Sequence, residues 1–215
     1  MEEREQDEGF SSQNVNITVV ENKNRGAFIG ITLSNGSSFF IFPEDFTQLE
    51  LLPDKAVSAE LFKKIELLHN ISLAYKKAIN ILSFAPTTAF LLRQKLLKKG
   101  FDSISVNRAV KRLSEKNIID DKKFAAGWVA ARLSRNPQAP FLLKSALINK
   151  GVDREIAEEI FKEFTPDSNL YIESFEKALA KQLKKTSKPT DKIKISLLRK
   201  GYPISLINKY LNNSH

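Results

Sequence analysis

The chain has 215 residues, 42% of them hydrophobic, and a formal net charge of +9. It has no cysteine, which excludes disulfides and thiolate metal sites and fits a reducing cytoplasm. Residues 1–60 hold 4 Lys/Arg against 11 Asp/Glu, and residues 61–215 hold 30 against 14, so an acidic head of −7 precedes a body of +16. Such a body suits a polyanionic partner, a nucleic acid or a nucleoprotein. No apolar run reaches the length of a membrane helix, and Met1-Glu2-Glu3-Arg4-Glu5 is unlike a signal peptide. The expected location is cytoplasmic, with no membrane partner.

Residues 1–14 are polar and acidic, and disorder is expected there. Val15–Val20 alternates apolar and polar, and Ala27–Leu33 and Ser38–Phe42 follow as further strand candidates. Asn35-Gly36 between the last two predicts a two-residue hairpin, because both residues accept positive φ. A three-stranded antiparallel meander results, closed by Pro43, with a short helix over Glu44–Glu50. Ser58 is a candidate N-cap for one long helix over 59–83, with Leu61, Ile65, Leu68, Tyr75, Ile79 and Leu82 as its stripe. His69 lies mid-helix and lacks a partner for metal or acid–base work, so a structural role is expected.

After Ala85-Pro86, Thr87 is a candidate N-cap for a helix over Leu91–Lys99, and Val106–Leu113 is the next helix. Ile119-Asp120-Asp121 opens a helix that runs through Phe124 and Trp128 to about Leu133, with Trp128 expected in the core. Helices over Phe141–Lys150, Ile156–Phe164, Tyr171–Lys185, Lys192–Lys200 and Ile204–Leu211 complete the chain, with a turn at Ser187-Lys188-Pro189-Thr190.

One stretch recurs. Leu96-Leu97-Lys98-Lys99-Gly100-Phe101 is followed by Leu147-Ile148-Asn149-Lys150-Gly151-Val152 and Leu197-Leu198-Arg199-Lys200-Gly201-Tyr202, with the glycines 51 and 50 residues apart. A glycine in the left-handed region closes a helix, and its next residue then touches the side chain four positions before the glycine. The pairs are Leu96 with Phe101, Leu147 with Val152, and Leu197 with Tyr202. Asp102, Asp153 and Pro203 suit the start of a second helix. Six residues past each glycine stand Val106, Ala157 and Ile207; ten past stand Val110, Phe161 and Leu211. The expected fold is mainly α: three tandem three-helix repeats form an elongated curved body behind a small β-meander. The expected divisions are 1–14, 15–57, 58–117, 118–166 and 167–215.

An enzyme reading finds little support. No phosphate-binding glycine loop is present, no nucleophile–histidine set can be assembled, and no cofactor, metal site or small-molecule substrate is expected. Asp120 and Asp121 are neighbours on a helix and point about 100 degrees apart, so they suit capping better than one metal ion. The binding candidates are Arg93, Lys95, Lys98, Arg108, Lys111, Arg112, Lys122, Lys123, Arg132, Arg135, Lys144 and Arg199. Lys184, Lys185, Lys188, Lys192, Lys194 and Lys200 crowd the C-terminal third. Arg108 and Arg112 are four apart and are expected to share an outer face.

Arg93-x-Lys95-Leu96-x-x-Lys99-Gly100-Phe101, Ile118-Ile119-Asp120-Asp121-x-x-Phe124-Ala125, Leu147-x-x-Lys150-Gly151-Val152 and Leu198-Arg199-Lys200-Gly201-Tyr202 together resemble the RecX family. That family regulates the bacterial RecA recombinase. Departures are Ala85-Pro86-Thr87-Thr88, where the family usually has a basic stretch, Leu91 at a commonly acidic position, and Gln138-Ala139-Pro140 in place of a glycine. The resemblance covers residues 60–212 and, more loosely, 15–60. It implies a protein without catalysis of its own that binds the RecA–DNA filament, with contacts to single- or double-stranded DNA. It would limit filament growth or persistence and damp strand exchange, ATP turnover and the SOS response. The alternative is a helix-turn-helix transcription regulator reading bases with Ser103, Ser105, Asn107 and Arg108. Threefold repetition and the acidic run Glu155, Glu158, Glu159 and Glu163 argue against it.

Overall fold

The computed structural model describes residues 17–21, 27–51, 56–184 and 190–212. The expectations for residues 1–14, for Val15, and for the turn at Ser187-Lys188-Pro189 lie outside the described residues, as do Lys185 and Lys188. The chain divides into two compact units: one of residues 1–83 and 95–113, the other of residues 84–94 and 114–215.

The first unit opens with an antiparallel sheet in the order β1 (Ile17–Glu21), β2 (Ile29–Leu33), β3 (Ser38–Ile41). Ile17 pairs with Leu33, Ile31 with Val19 on one side and Phe39 on the other, and Ile29 with Ile41. Alternation puts Ile31, Leu33, Phe39 and Ile41 into the core. The hairpin differs from expectation. Only Gly36 has positive φ (+86°), Gly36 N–H donates to Leu33 C=O at 2.9 Å, and Leu33 N–H donates to Ser37 C=O at 2.9 Å. This is a three-residue loop with glycine at the left-handed position, and the Asn35 side chain instead accepts from Ser37 N–H at 3.0 Å.

The short α1 (Pro43–Thr47) leads to the long α2 (Ala59–Phe84), which Ser58 caps by accepting from Leu61 N–H at 3.1 Å. The helix is continuous through His69, whose Nδ1 accepts from Phe40 N–H at 2.9 Å. Burial holds the His69 pKa below its ordinary value, against an upward pull from its backbone partner. The buried stripe runs through Ile65, Leu68, Ile71, Ala74, Tyr75 and Ala78, and Ile79 is 38% exposed. Tyr75 and Ala78 are three apart and share the buried face, while Ile79, a further 100 degrees or so round the helix from Ala78, is turned partly outward.

Next come α3 (Ala89–Leu97), α4 (Ser103–Glu115), α5 (Asp121–Arg135), α6 (Pro140–Asn149), α7 (Arg154–Phe161), α8 (Asn169–Lys184), α9 (Thr190–Arg199) and α10 (Ile204–Asn212). Thr88, not Thr87, caps α3 by accepting from Leu91 N–H at 3.1 Å, which starts the helix two residues earlier than expected. Asp102 and Asp153 cap α4 and α7 through Ser105 N–H and Glu155 N–H, each at 2.8 Å.

Gly100, Gly151 and Gly201 take φ of +88°, +80° and +85°. Each next residue donates to the carbonyl five back: Phe101 to Leu96 at 3.4 Å, Val152 to Leu147 at 3.2 Å, Tyr202 to Leu197 at 3.2 Å. Each glycine donates three back, to Leu97, Ile148 and Leu198, at 2.8–2.9 Å. This double bond is the Schellman helix end. Leu96, Leu147 and Leu197 are fully buried; Val152 and Tyr202 are buried and Phe101 half-buried. Burial pushes the Tyr202 pKa up to about 12, while its hydroxyl pairs with Ser174 Oγ at 2.9 Å.

Inside the second unit these ends are covered, in the same way twice. Thr88 Oγ1 donates to Lys150 C=O at 2.6 Å, and Ala139 N–H donates to Lys200 C=O at 2.8 Å. Phe90 lies on Gly151 and Phe141 on Gly201. The start of one helix thus seats on the glycine end of another, joining positive and negative dipole ends. One core gathers Ala125, Val129, Leu143, Leu147, Val152 and Phe161 from α5–α7 and the turn before α7. A second gathers Tyr171, Phe175, Leu179, Leu197, Tyr202 and Ile207 from α8–α10 and the α9–α10 turn.

The three glycines make a graded prediction. A Cβ would lie 2.1 Å from Phe90 Cβ at Gly151 and 2.8 Å from Phe141 Cε1 at Gly201, and would meet nothing within 4 Å at Gly100. Gly100→Ala should cost about 1 kcal/mol from backbone strain alone. Gly151→Ala should cost about 1–3 kcal/mol more from overlap, with Gly201→Ala between. Thermal denaturation of the three variants checks the order; equal losses would count against it.

Candidate site for a polyanionic partner

The twelve binding candidates are divided between the two units and take different settings within each. Arg112 is the clearest departure. It was expected on the outer face with Arg108, yet its side chain is only 20% exposed. Nη1 and Nη2 donate to the two carboxylate oxygens of Asp45 at 2.8 and 2.9 Å, Glu44 lies 3.8 Å away, and the guanidinium sits 4.1 Å from the Phe42 ring centroid. Arg112 is therefore an internal clamp between α4 and α1. An i,i+4 step turns 40 degrees about the helix, and here that carries Arg112 to the rim of the core while Arg108 stays exposed. The signal that could have found it is the Glu44-Asp45 pair just after Pro43.

Two further candidates meet the acidic α7: Lys122 reaches Glu159 at 2.7 Å and Lys144 reaches Glu158 at 3.2 Å. Exposed pairs of this kind hold weakly. Arg93 is half-buried, and Lys95, Lys98, Arg108, Lys111, Lys123 and Arg199 are exposed. Trp128 packs against the α5–α7 core while only half-buried, with Arg132 and Lys150 at 5.2 and 5.6 Å from its ring centroid. Asp120 and Asp121 are occupied as caps: Asp120 accepts from Lys123 N–H at 2.8 Å, and Asp121 from Ala89 N–H at 2.9 Å. Ser105, assigned to base reading in the helix-turn-helix alternative, is fully buried. Among the described residues no group of three or more His, Asp or Glu could hold a metal ion, and no helix is long and apolar enough to cross a membrane.

Cations do converge at one place in the second unit. The C-terminal ends of α5, α8 and α9 surround a cleft of about 410 Å³ lined by Arg135, Asn136, Lys181, Gln182, Lys184 and Lys200. Helix C-termini carry partial negative charge and attract cations. Lys181 Nζ donates to Arg135 C=O, and Lys200 Nζ to Asn136 Oδ1 at 2.7 Å and Pro137 C=O at 3.0 Å. Among the described residues no carboxylate lines the cleft. Four cations in one concavity suit a phosphate or carboxylate group. Of the binding candidates only Arg135 lies here, beside Lys184 and Lys200 of the C-terminal crowd. Lys181 was missed; its place one turn before Lys184 in the last turn of α8 is the signal that could have found it.

The comparisons agree with this architecture. Residues 74–113 match the model described as "RecX, first three-helix domain", and residues 120–160 the model "RecX, second three-helix domain". The chain belongs to the RecX family. The regulatory protein RecX of Streptococcus mutans is 26% identical over 188 residues, 86% of this chain and 72% of that protein. RecX of Listeria monocytogenes serotype 4a is 24% identical over 192 residues, 87% of this chain and 70% of its own. A crystal structure of regulatory protein RecX shares the fold at TM-score 0.73 and 20% identity, covering 93% of this chain and 99% of the other. RecX from Lactobacillus salivarius aligns at TM-score 0.55 and 26% identity, over 67% of this chain and 96% of the other. This RecX-family chain is accordingly a regulatory protein.

Arg112 and Arg108 should separate in stability. Arg112→Ala should cost about 2 kcal/mol, since a charged hydrogen bond is worth about 1.5–3 kcal/mol and Asp45 would be left unpaired. Arg108→Ala should change stability by less than about 0.5 kcal/mol. Urea denaturation of the two variants checks this; matching midpoints would refute the clamp.

Proposed function

We propose that this chain modulates the RecA recombinase negatively. It binds in the groove of the RecA–DNA filament and limits filament growth or persistence, which damps strand exchange, ATP turnover and the SOS response. The observation that carries this reading is the cleft lined by Arg135, Lys181, Lys184 and Lys200 in a chain of the RecX family. The partners are the RecA filament and its DNA, met by Arg135, Lys181, Lys184 and the exposed Lys95, Lys98, Lys123, Arg132 and Arg199. Chemistry stays with the recombinase.

The recurrent seating of Thr88 on Lys150 and Ala139 on Lys200 supports a body of tandem repeats, divided near residues 58–117, 118–166 and 167–215. A curved arrangement of such repeats would meet successive filament subunits at one spacing. The helix-turn-helix alternative is weakened by the burial of Ser105.

The test is RecA ATPase on single-stranded DNA at fixed salt, titrated with this protein. Wild type should lower the rate at levels too low to coat the DNA. The combined variant Arg135→Ala, Lys181→Ala, Lys184→Ala should need at least tenfold more protein. Its filament-binding salt slope should fall by about 2, at roughly 0.7 per single-strand phosphate contact. Unchanged ATPase with tight, sequence-dependent duplex binding would overturn the proposal and favour a transcription regulator.

A further inference from the structure

The chain displays twice what belongs on its glycine helix ends. At Gly151 the occupant is the first turn of α3, with the Phe90 ring on the glycine and Thr88 Oγ1 on the preceding carbonyl at 2.6 Å. At Gly201 it is the first turn of α6, with Phe141 on the glycine and Ala139 N–H on the preceding carbonyl at 2.8 Å. In both, an aromatic at the start of an incoming helix fills the space that a Cβ would have claimed.

Gly100 has the same left-handed backbone and the same hydrogen-bonded end, but not the occupant. Among the described residues nothing lies within 4 Å of where its Cβ would stand. Gly100 is exposed, whereas Gly151 and Gly201 are half-buried. Beside it lie the exposed Lys95, Lys98 and Lys99, and Leu97 at 45% exposure.

We propose that the Lys99-Gly100 end of α3 is a docking site for a helix of a partner protein. The first turn of that helix carries an aromatic residue, and its N-terminal flank is acidic. The aromatic seats on Gly100 as Phe90 and Phe141 seat on theirs. The flank answers the three lysines by charge complementarity. A second copy of this chain is a poor occupant. At the start of α9, Asp191 stands 50 residues after Phe141, at the equivalent position, and its carboxylate would face the negative end of α3. The site does not depend on the recombinase reading.

The probe is a lactam-stapled peptide of residues 136–149, with two glutamates added at its N-terminus, followed by fluorescence anisotropy with the full chain. Saturable binding is expected. It should weaken at least tenfold when Phe141 of the peptide is replaced by alanine, and equally with Gly100→Asn in the protein. Asparagine accepts the left-handed conformation and so keeps the helix end, while its side chain occupies the docking space. Should Gly100→Asn unfold, the double variant Lys98→Glu, Lys99→Glu replaces it, and the same loss is expected. Absence of saturable binding, or loss with the peptide change but none with the protein changes, would overturn the proposal.

Discussion

The last carbonyls of a helix have no partner inside it, and this constraint organises the second half of the molecule. Glycine at φ near +80 to +88° folds the chain back so that two of those carbonyls are used at once. The carbonyl just before the glycine remains. At Lys150 and Lys200 it accepts a hydrogen bond from the start of another helix, and an aromatic ring closes over the glycine. Local backbone chemistry and long-range packing are therefore one interaction. A side chain at Gly151 would break both.

Electrostatics also follows from helix ends, those of α5, α8 and the glycine-closed α9. They bring Arg135, Lys181, Lys184 and Lys200 to one cleft, because cations are favoured where carbonyls point outward. Three described carboxylates pair with other cations. Asp45 holds Arg112 inside the first unit, and Glu158 and Glu159 hold Lys144 and Lys122 on the surface of the second. Sorting charges in this way leaves a concentrated positive site in a chain whose net charge is only +9.

Much of the fold was legible in the residues themselves. The three glycines and their leucine partners carry a mechanism at fixed spacing, so the helix ends, the caps at Asp102 and Asp153 and the core positions Val106, Ala157 and Ile207 could be placed without coordinates. Thr88 was harder, because two threonines stand side by side and either could cap. The site was much less legible. A helical wheel separates inside from outside but cannot show that Arg112 meets Asp45, 67 residues away. Nor can it show that Lys181 lies by the backbone of Arg135, 46 residues away. Trp128 illustrates the same limit: its spacing points inward, and it does pack against the α5–α7 core, yet its ring also meets Arg132 and Lys150.

The seating of α6 on the glycine end of α9 shows most directly at the Ala139 amide. It precedes α6 and belongs to no helix ladder, so without its partner on Lys200 it would exchange with solvent as an ordinary loop amide. Native-state hydrogen exchange followed residue by residue measures this. Protection of Ala139 comparable to the helical amides of Leu143 and Leu147 is the expected result. Exchange at the rate of an open loop would contradict the seating of one helix start on the glycine end of another.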